Sequence, residues 1–212
     1  MTTNAFELQN ATIVMLYDVI DHQQISRDAF RRMIAGERPQ YMDMSGAPLV
    51  INYERLPGTT CIVNDRRIQV QQSGLREPGK GNLAEMATVA KAAIGEQSMI
   101  SYGLNFTVKG STQGVGNVGE FLRNKLLRGL PQLEAIFGGQ ISRMFPRLEY
   151  VIADVRYQLS IEPDPIDETA YRAQLNIHHV TDSLPEPSDL SSALDEGLAH
   201  LGEALNKTFS LA

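Results

Sequence analysis

The chain has 212 residues, of which 42% are hydrophobic and 21% charged, and its formal net charge is −6. This composition is typical of an ordinary soluble globular protein, which at this length buries enough apolar surface to fold without a metal or a disulfide. The acidic balance leaves a role in nucleic-acid binding unsupported, because proteins of that class need a dense basic face.

Cysteine usage and the N-terminal segment indicate the compartment. The single cysteine, Cys61, excludes an internal disulfide framework and fits a reducing compartment. The segment MTTNAFELQN has no basic region followed by an apolar run, and no apolar stretch of the chain approaches ~18 residues. We therefore expect a cytoplasmic protein with no signal peptide and no contact with a membrane.

Strands dominate the predicted first half of the chain. Apolar, β-rich runs predict a strand at 11–20, a second at 49–54 and a hairpin at 59–71 that turns at Asn64-Asp65. Residues 35–48 contain two glycines and two prolines and therefore predict a loop.

Two helices are predicted between these strands. Apolar residues at helical spacing indicate a helix at 26–34, with Ser26 as its N-cap. The segment 83–95 has the same spacing, and Asn82 and Glu85 stand at the two positions of a capping box. Its last residue is a glycine, which commonly ends a helix.

Alternating strands continue in the second half. The segments 98–110, 148–162 and 171–182 alternate apolar and polar residues, and the last is expected to pair with 148–162 in an antiparallel manner. The residues predicted to point inward are Ile100, Tyr102, Leu104, Phe106, Val108, Val151, Ala153, Val155, Tyr157, Leu159, Ile161, Tyr171, Ala173, Leu175 and Ile177.

Helices are predicted after the glycine-rich stretch and at the end of the chain. The segments 120–129 and 131–139 both have helical spacing, and the second starts at a proline and ends at two glycines. The closing helix carries one apolar stripe, formed by Leu190, Ala193, Leu194, Leu198, Leu201 and Leu205.

The alternating strands together predict the fold class. Parallel strands covered on both faces are continuously apolar, whereas these strands expose one face. We expect an α+β protein in two layers, with a largely antiparallel sheet, helices packed on one face and a long C-terminal helix. Residues 1–212 are expected to form a single domain, and a division near residue 97 stays open.

The stretch GVGNVG at 114–119 matches the glycine pattern of a dinucleotide site, but its context does not fit. Five residues, 109–113, separate it from the preceding strand, which alternates as a half-exposed strand does. The acidic residue at the required distance is Glu134, which lies in a predicted helix. Asn117 and Glu120 instead form a second capping box, so the stretch is predicted to be a loop and a helix cap.

No catalytic, cofactor-binding or metal-binding residue is assigned from the sequence. His178 and His179 are adjacent on a strand and point to opposite faces, so they cannot share a metal. Cys61 lies in an apolar run and is expected to be a buried thiol. A weaker alternative is an anion held at the glycine loop with Lys109 nearby.

One resemblance comes from the end of the chain. The segment GEALNKTF at 202–209 is similar to a pattern H-E-x-I-N-x-x-F, in which Leu205, Asn206 and Phe209 match and Gly202 replaces the histidine. The chain thereby resembles a sporadically distributed family of uncharacterised prokaryotic proteins, which also has a helix before its mid-chain strand. The resemblance implies no catalytic residues, because that family has no established activity.

Two main classes of function remain open from the sequence, beside a third option, a structural subunit of a larger assembly, which an exposed apolar patch would favour. The first is a non-catalytic binding or interaction module that takes a protein partner or self-associates, with the loop Tyr41-Met42-Asp43-Met44 and the glycine loop as candidate surfaces. The second is an enzyme or ligand-binding protein with a pocket for a small molecule between the curved sheet and the closing helix. The polar wall of that pocket would be Arg172, Gln174, Asn176 and His178.

Overall fold

The computed structural model describes residues 5–26, 28–31, 41–43, 48–53, 58–112, 114–126, 136 and 145–210. Within them nine strands form one sheet, and all neighbouring strands are antiparallel. The strands are β1 (Phe6–Tyr17), β2 (Tyr41–Asp43), β3 (Leu49–Tyr53), β4 (Thr59–Asn64), β5 (Arg67–Ser73), β6 (Met99–Ser111), β7 (Arg147–Ile152), β8 (Val155–Pro163) and β9 (Ala170–His179). The described α-helices are α1 (Leu83–Ala93), α2 (Val118–Leu126) and α3 (Pro187–Phe209).

Strand β1 lies at the centre of the sheet. The strand order is β2-β3-β4-β5-β1-β6-β9-β8-β7, so β1 joins the strands of the first half of the chain to those of the second. Strands on both sides of residue 97 therefore belong to one sheet. The predicted fold class is confirmed: this is an α+β protein with an antiparallel sheet and a long C-terminal helix.

The two faces of the sheet differ in polarity, as the alternation predicts. Residues directly opposite each other on antiparallel strands share a face. Ile13 of β1 is opposite Val70 and Leu104, and Leu104 is opposite Ile177. All four are between 0% and 4% exposed and form part of the apolar face. Their chain neighbours, such as Thr12, point to the other face, which we call the polar face.

Helix α3 lies directly against the apolar face. The backbone of Gly197 comes so close to the rings and methyl groups of Phe106 and Ile177 that a Cβ there would collide with them. Farther along, the ring of Phe209 lies 5.7 Å from that of Phe121 on α2. The buried side of the helix consists of Leu190, Leu194, Gly197, Leu201, Leu205 and Phe209, which follows the predicted apolar stripe.

Of the two predicted capping boxes, the structure shows the N-cap of one. The N–H of Glu120 donates to Oδ1 of Asn117 at 2.9 Å, so Asn117 caps α2 as predicted. The prediction for Asn82 is wrong, because its side chain makes no capping hydrogen bond. The backbone of Asn82 (φ −99°, ψ 11°) is outside the extended region that a capping side chain requires, and its N–H donates to the Gln72 side chain.

The predicted single strand 148–162 is wrong, because the chain turns back in its middle. Ala153 and Asp154 form a two-residue turn with φ of 47° and 67°, and β7 and β8 pair on either side of it. Such a turn normally contains glycine or asparagine. Since neither is present, the alternation continues through the turn without a visible break. Val151 and Ala153 were therefore wrongly placed on the inward face, since both are exposed.

Three further predictions, on other strands of the sheet, need correction. Part of the predicted loop 35–48 is a strand, because Tyr41–Asp43 pairs with β3. Ile100 was predicted to point inward but is 46% exposed, since a bulge between β1 and β6 leaves it without an opposing residue. The predicted hairpin is present, although its two-residue turn is Asp65-Arg66 rather than Asn64-Asp65.

Some predicted elements fall largely outside the described residues. Of the helix expected at 26–34, the structure shows a short 3₁₀ turn, Ala29–Arg31, whose first N–H donates to Oγ of Ser26. Of the helix expected at 131–139, only Ile136 is described. Met44 of the proposed partner loop also lies outside the described part.

Candidate functional site

A groove of about 590 Å³ runs over the polar face of the sheet. Its floor is formed by β1, β6, β9 and β8, with β5 on one side and Phe145 and Arg147 on the other. Its polar side chains are Thr12, Arg67, Gln69, Asn105, Thr107, Arg147, Gln158, Ser160, Glu162, Gln174 and Asn176. A volume of this size is in the range of small-molecule sites.

Four of these residues form a straight row, which we call the amide row. Thr12 is opposite Asn105, Asn105 is opposite Asn176, and Asn176 is opposite Gln158, so the row crosses four adjacent strands. Thr12 is buried and the three amides are half-buried. Neutral hydrogen-bonding groups therefore occupy the centre of the groove.

The amide row is held in place by its own hydrogen bonds. Nδ2 of Asn176 donates to Oδ1 of Asn105, and Nη2 of Arg147 donates to Oε1 of Gln158 at 2.6 Å. A side-chain amide has two donor hydrogens and an oxygen with two acceptor positions. These contacts therefore leave donors and acceptors of the row available to a ligand.

Charged and aromatic groups stand around the row rather than within it. Arg67 and Arg147 are exposed, and Glu162 is half-buried. Phe145 is 50% exposed, which offers an aromatic surface at the groove. The arrangement combines a neutral hydrogen-bonding floor with a charged rim.

The structure brings together two of the four residues predicted for a polar wall. Gln174 and Asn176 line the groove, whereas Arg172 and His178 lie on the same strand but are not among its lining residues. The groove is also not between the sheet and the closing helix, because α3 packs on the opposite, apolar face. The sequence did not indicate Thr12, Asn105 or Gln158, since their proximity depends on the order and register of the strands.

The glycine loop does not form a dinucleotide site. Strand β6, which precedes it, is antiparallel to both of its neighbours, whereas the dinucleotide fingerprint requires a parallel strand. At the start of α2 the N–H of Val118 donates to the carbonyl oxygen of Glu168 at 2.8 Å. The charged residues that line the hollow beside it are Glu120, Glu168 and Lys125, and Lys109 is paired with Asp164 at 3.4 Å. The two carboxylates outnumber Lys125 and Lys109 is engaged elsewhere, which disfavours an anion at this position.

The histidines lie where the sequence indicated, on opposite faces of β9. His179 stacks on Tyr102, with ring centroids 4.5 Å apart, and His178 is on the polar face opposite Arg156. His200 on α3 shares a hydrogen bond of 2.8 Å with the hydroxyl of Tyr150. Among the described residues, no group of three His, Cys, Asp or Glu side chains is placed to hold a metal.

Stability should depend on pH through His179. Burial, and then the charge of His178, lower the pKa of His179 below 6.5. The unfolded chain therefore takes up a proton first as the pH falls through about 6.5, which favours unfolding. We expect the free energy of unfolding of the wild type to fall relative to that of His179→Phe between pH 8 and pH 5, as measured by urea denaturation. Parallel curves for the two proteins would contradict this assignment.

The strongly perturbed titratable groups lie away from the groove. Burial raises the pKa of Tyr17, Cys61 and Tyr171 to about 12, and all three are core residues. Cys61 is thus the buried thiol that the sequence predicts. Active sites commonly contain such shifted groups. Among the described residues, none of the groups with a clear shift lines the groove.

No helix in the described ranges combines the length and the apolar character that a membrane span requires. Comparison with models of known protein families and with curated protein sequences gives no match to this chain.

Proposed function

We propose that this protein is a non-catalytic binding module whose ligand lies on the polar face of the sheet. The observation that carries the proposal is the amide row, Thr12-Asn105-Asn176-Gln158, at the floor of a groove of about 590 Å³. The half-buried amides keep donors and acceptors that a ligand in the groove can engage in a fixed geometry.

The lining favours an uncharged ligand rich in hydroxyl or amide groups. An amide donates and accepts at adjacent atoms, which matches neighbouring hydroxyls or an acetamido group. The four side chains of the row carry no charge, and Arg147, which contacts the row, already donates to Oε1 of Gln158. Desolvation of a charged ligand over the centre of the row would therefore be poorly compensated. Phe145 adds an apolar surface on which a sugar ring can lie. A short neutral oligosaccharide has these properties.

The proposal also covers the cellular compartment and the self-association of the protein. The single, buried Cys61 supports a reducing, cytoplasmic compartment. Self-association is supported by the open edge of the sheet, since an unpaired edge strand is a template for another strand.

Calorimetric titration with neutral oligosaccharides tests the groove. The first probe is chitotriose, which carries both hydroxyl and acetamido groups, and sialic acid serves as its anionic counterpart. We expect binding of the neutral probe, and Asn176→Leu should weaken it about 10-fold or more because an amide is lost from the row.

The matched control is Asn52→Leu. Asn52 is also a half-buried asparagine on the polar face, but it lies on β3 outside the groove and accepts a hydrogen bond from Thr60. Its replacement should leave the affinity unchanged. Preferential binding of the anion, or equal effects of the two replacements, would contradict the proposed ligand class.

A further inference from the structure

Within the described part of the chain, strand β7 is an edge of the sheet that carries several exposed apolar side chains. It is the last strand in the order, and all of its residues except Tyr150 are exposed. The strand and the residue pair before it carry four large exposed apolar side chains: Phe145 (50%), Leu148 (47%), Val151 (64%) and Ile152 (47%). An edge strand attracts another strand unless charges or prolines prevent it. Pro146 precedes β7 and two charges lie on it, but Arg147 and Glu149 are opposite in sign, so a second copy in the right register can pair with both.

The edge is held firmly by the rest of the molecule. Tyr150 stacks on Tyr157 with ring centroids 5.2 Å apart, and its hydroxyl shares a hydrogen bond with His200 of α3. This cluster fixes β7 to the sheet and to the helix. The edge is therefore already ordered before a partner strand binds, so binding does not carry the entropic cost of ordering it.

The turn determines which backbone groups of β7 point outward. Ile152 and Val155 flank the two-residue turn and form its closing pair. Hydrogen-bonded and non-hydrogen-bonded pairs alternate along an antiparallel ladder. The backbone N–H and C=O groups of residues 148, 150 and 152 therefore bond to β8, whereas those of residues 147, 149 and 151 point away from it. The hydrogen bond from the Ile161 N–H to the Pro146 carbonyl agrees with this alternation.

We propose that β7 pairs with β7 of a second copy of this chain, antiparallel about a two-fold axis at Leu148. In this register Arg147 of each copy is opposite Glu149 of the other, and Phe145 is opposite Val151. In both pairs the backbone N–H and C=O groups point away from β8 and the side chains lie on the polar face, as antiparallel pairing requires. Leu148 meets its own copy on the apolar face.

Charge selects this register over its neighbours. A shift by one step in either direction places Glu149 opposite Glu149 or Arg147 opposite Arg147, which is unfavourable on paired strands. An axis at Tyr150 would place Glu149 opposite Val151, so that neither Arg147 nor Glu149 meets an opposite charge across the interface, although Glu149 keeps its ion pair with Arg156 of its own chain at 3.6 Å. Only the axis at Leu148 combines two opposite-charge pairs with apolar contacts between exposed residues.

The second copy would also extend the groove. Paired residues keep their face, so the polar faces of the two copies form one continuous surface. Phe145 and Arg147 line the groove of one copy, and Val151 and Glu149 of the second copy lie beside them. The inference does not depend on the identity of the groove ligand.

Sedimentation equilibrium with charge-reversed variants tests the pairing. The wild type is expected to have about twice the mass of the 23.4 kDa chain. Each of the variants Arg147→Glu and Glu149→Arg places like charges opposite each other across the interface. The dissociation constant of the dimer should therefore rise about 10-fold or more in each variant. Mixed in equal amounts, the two variants restore both opposite-charge pairs and should form a heterodimer.

Two further variants separate loss of pairing from loss of folding. Leu148→Lys brings two ammonium groups together at the axis and should give a monomer with an unchanged circular dichroism spectrum. Ile166→Lys changes an apolar residue that is 92% exposed and lies outside the edge, and it should remain dimeric. A monomeric wild type, a dimer that persists in Leu148→Lys, or a mixture that stays monomeric would each overturn the proposal.

Discussion

Replacement of Gly197 by leucine is expected to lower the free energy of unfolding by about 3 kcal/mol, one of the largest effects of a single substitution in this protein. At Gly197 the backbone of α3 comes close to the sheet. A Cβ there would lie 2.7 Å from Cε2 of Phe106 and 2.9 Å from Cδ1 of Ile177, distances that real Cβ atoms do not show. Because Phe106 and Ile177 are only 1% and 4% exposed, neither can move away without disturbing the core.

Gly202 provides a matched control on the same helix. A Cβ at Gly202 would lie 3.2 Å from the ring of Phe6, which is only partly buried and can shift. Alanine favours an α-helix over glycine by about 1 kcal/mol. We therefore expect Gly202→Ala to leave stability unchanged or raise it and Gly197→Ala to lower it, with both measured by urea denaturation. Equal effects would mean that α3 does not approach the sheet at Gly197.

The second large effect is expected at the centre of the sheet. Ile13 on β1 is 0% exposed and is opposite Val70 and Leu104 on the apolar face. Ile13→Ala removes buried methyl groups and leaves a cavity, which should lower the free energy of unfolding by about 2–4 kcal/mol.

Its neighbour Val14 is the control, because it points to the opposite face. Val14 is half-buried and lines the groove. Val14→Ala should cost less than about 1 kcal/mol, since a residue that is not fully buried loses less transfer energy and leaves no closed cavity. Thermal and urea unfolding of the two variants would measure the difference. A larger loss of unfolding free energy for Val14→Ala than for Ile13→Ala would contradict the assignment of the two faces.

The sequence predicts the parts of this fold that rest on local periodicity. The alternation of β9 and the apolar stripe of α3 each indicate correctly which side chains are buried. The cap at Asn117 was also predictable, because its partner Glu120 is three residues away. These features depend on short stretches of chain, in which a period of 2.0 or 3.6 residues determines the face.

The wrong predictions lie at positions where no turn residue or other local sequence signal indicates a change in structure. The turn at Ala153-Asp154 contains neither glycine nor asparagine, so β7 and β8 could not be separated by sequence signals. Ile100 breaks the alternation because of a bulge, which arises from pairing with β1 rather than from β6 itself.

The groove could be predicted only in part, for a similar reason. Gln174 and Asn176 were recognised because they share one strand with a polar side. Their neighbour Asn105 is 71 residues from Asn176 along the chain and meets it only through the pairing of β6 with β9. Strand order and register are properties of the whole fold, and no local pattern around Asn105 distinguishes it from any other asparagine on the polar side of a strand.

The central claim, that ligand binds on the polar face, is tested most directly by backbone amide chemical shifts recorded during titration with chitotriose. We expect the largest changes at Thr12, Asn105, Asn176 and Gln158 and at their neighbours on β1, β6, β9 and β8. The claim would be contradicted if the chemical shifts of the amide row stayed constant while those at the hollow beside Asn117 and Glu120, or on the exposed side of α3, changed.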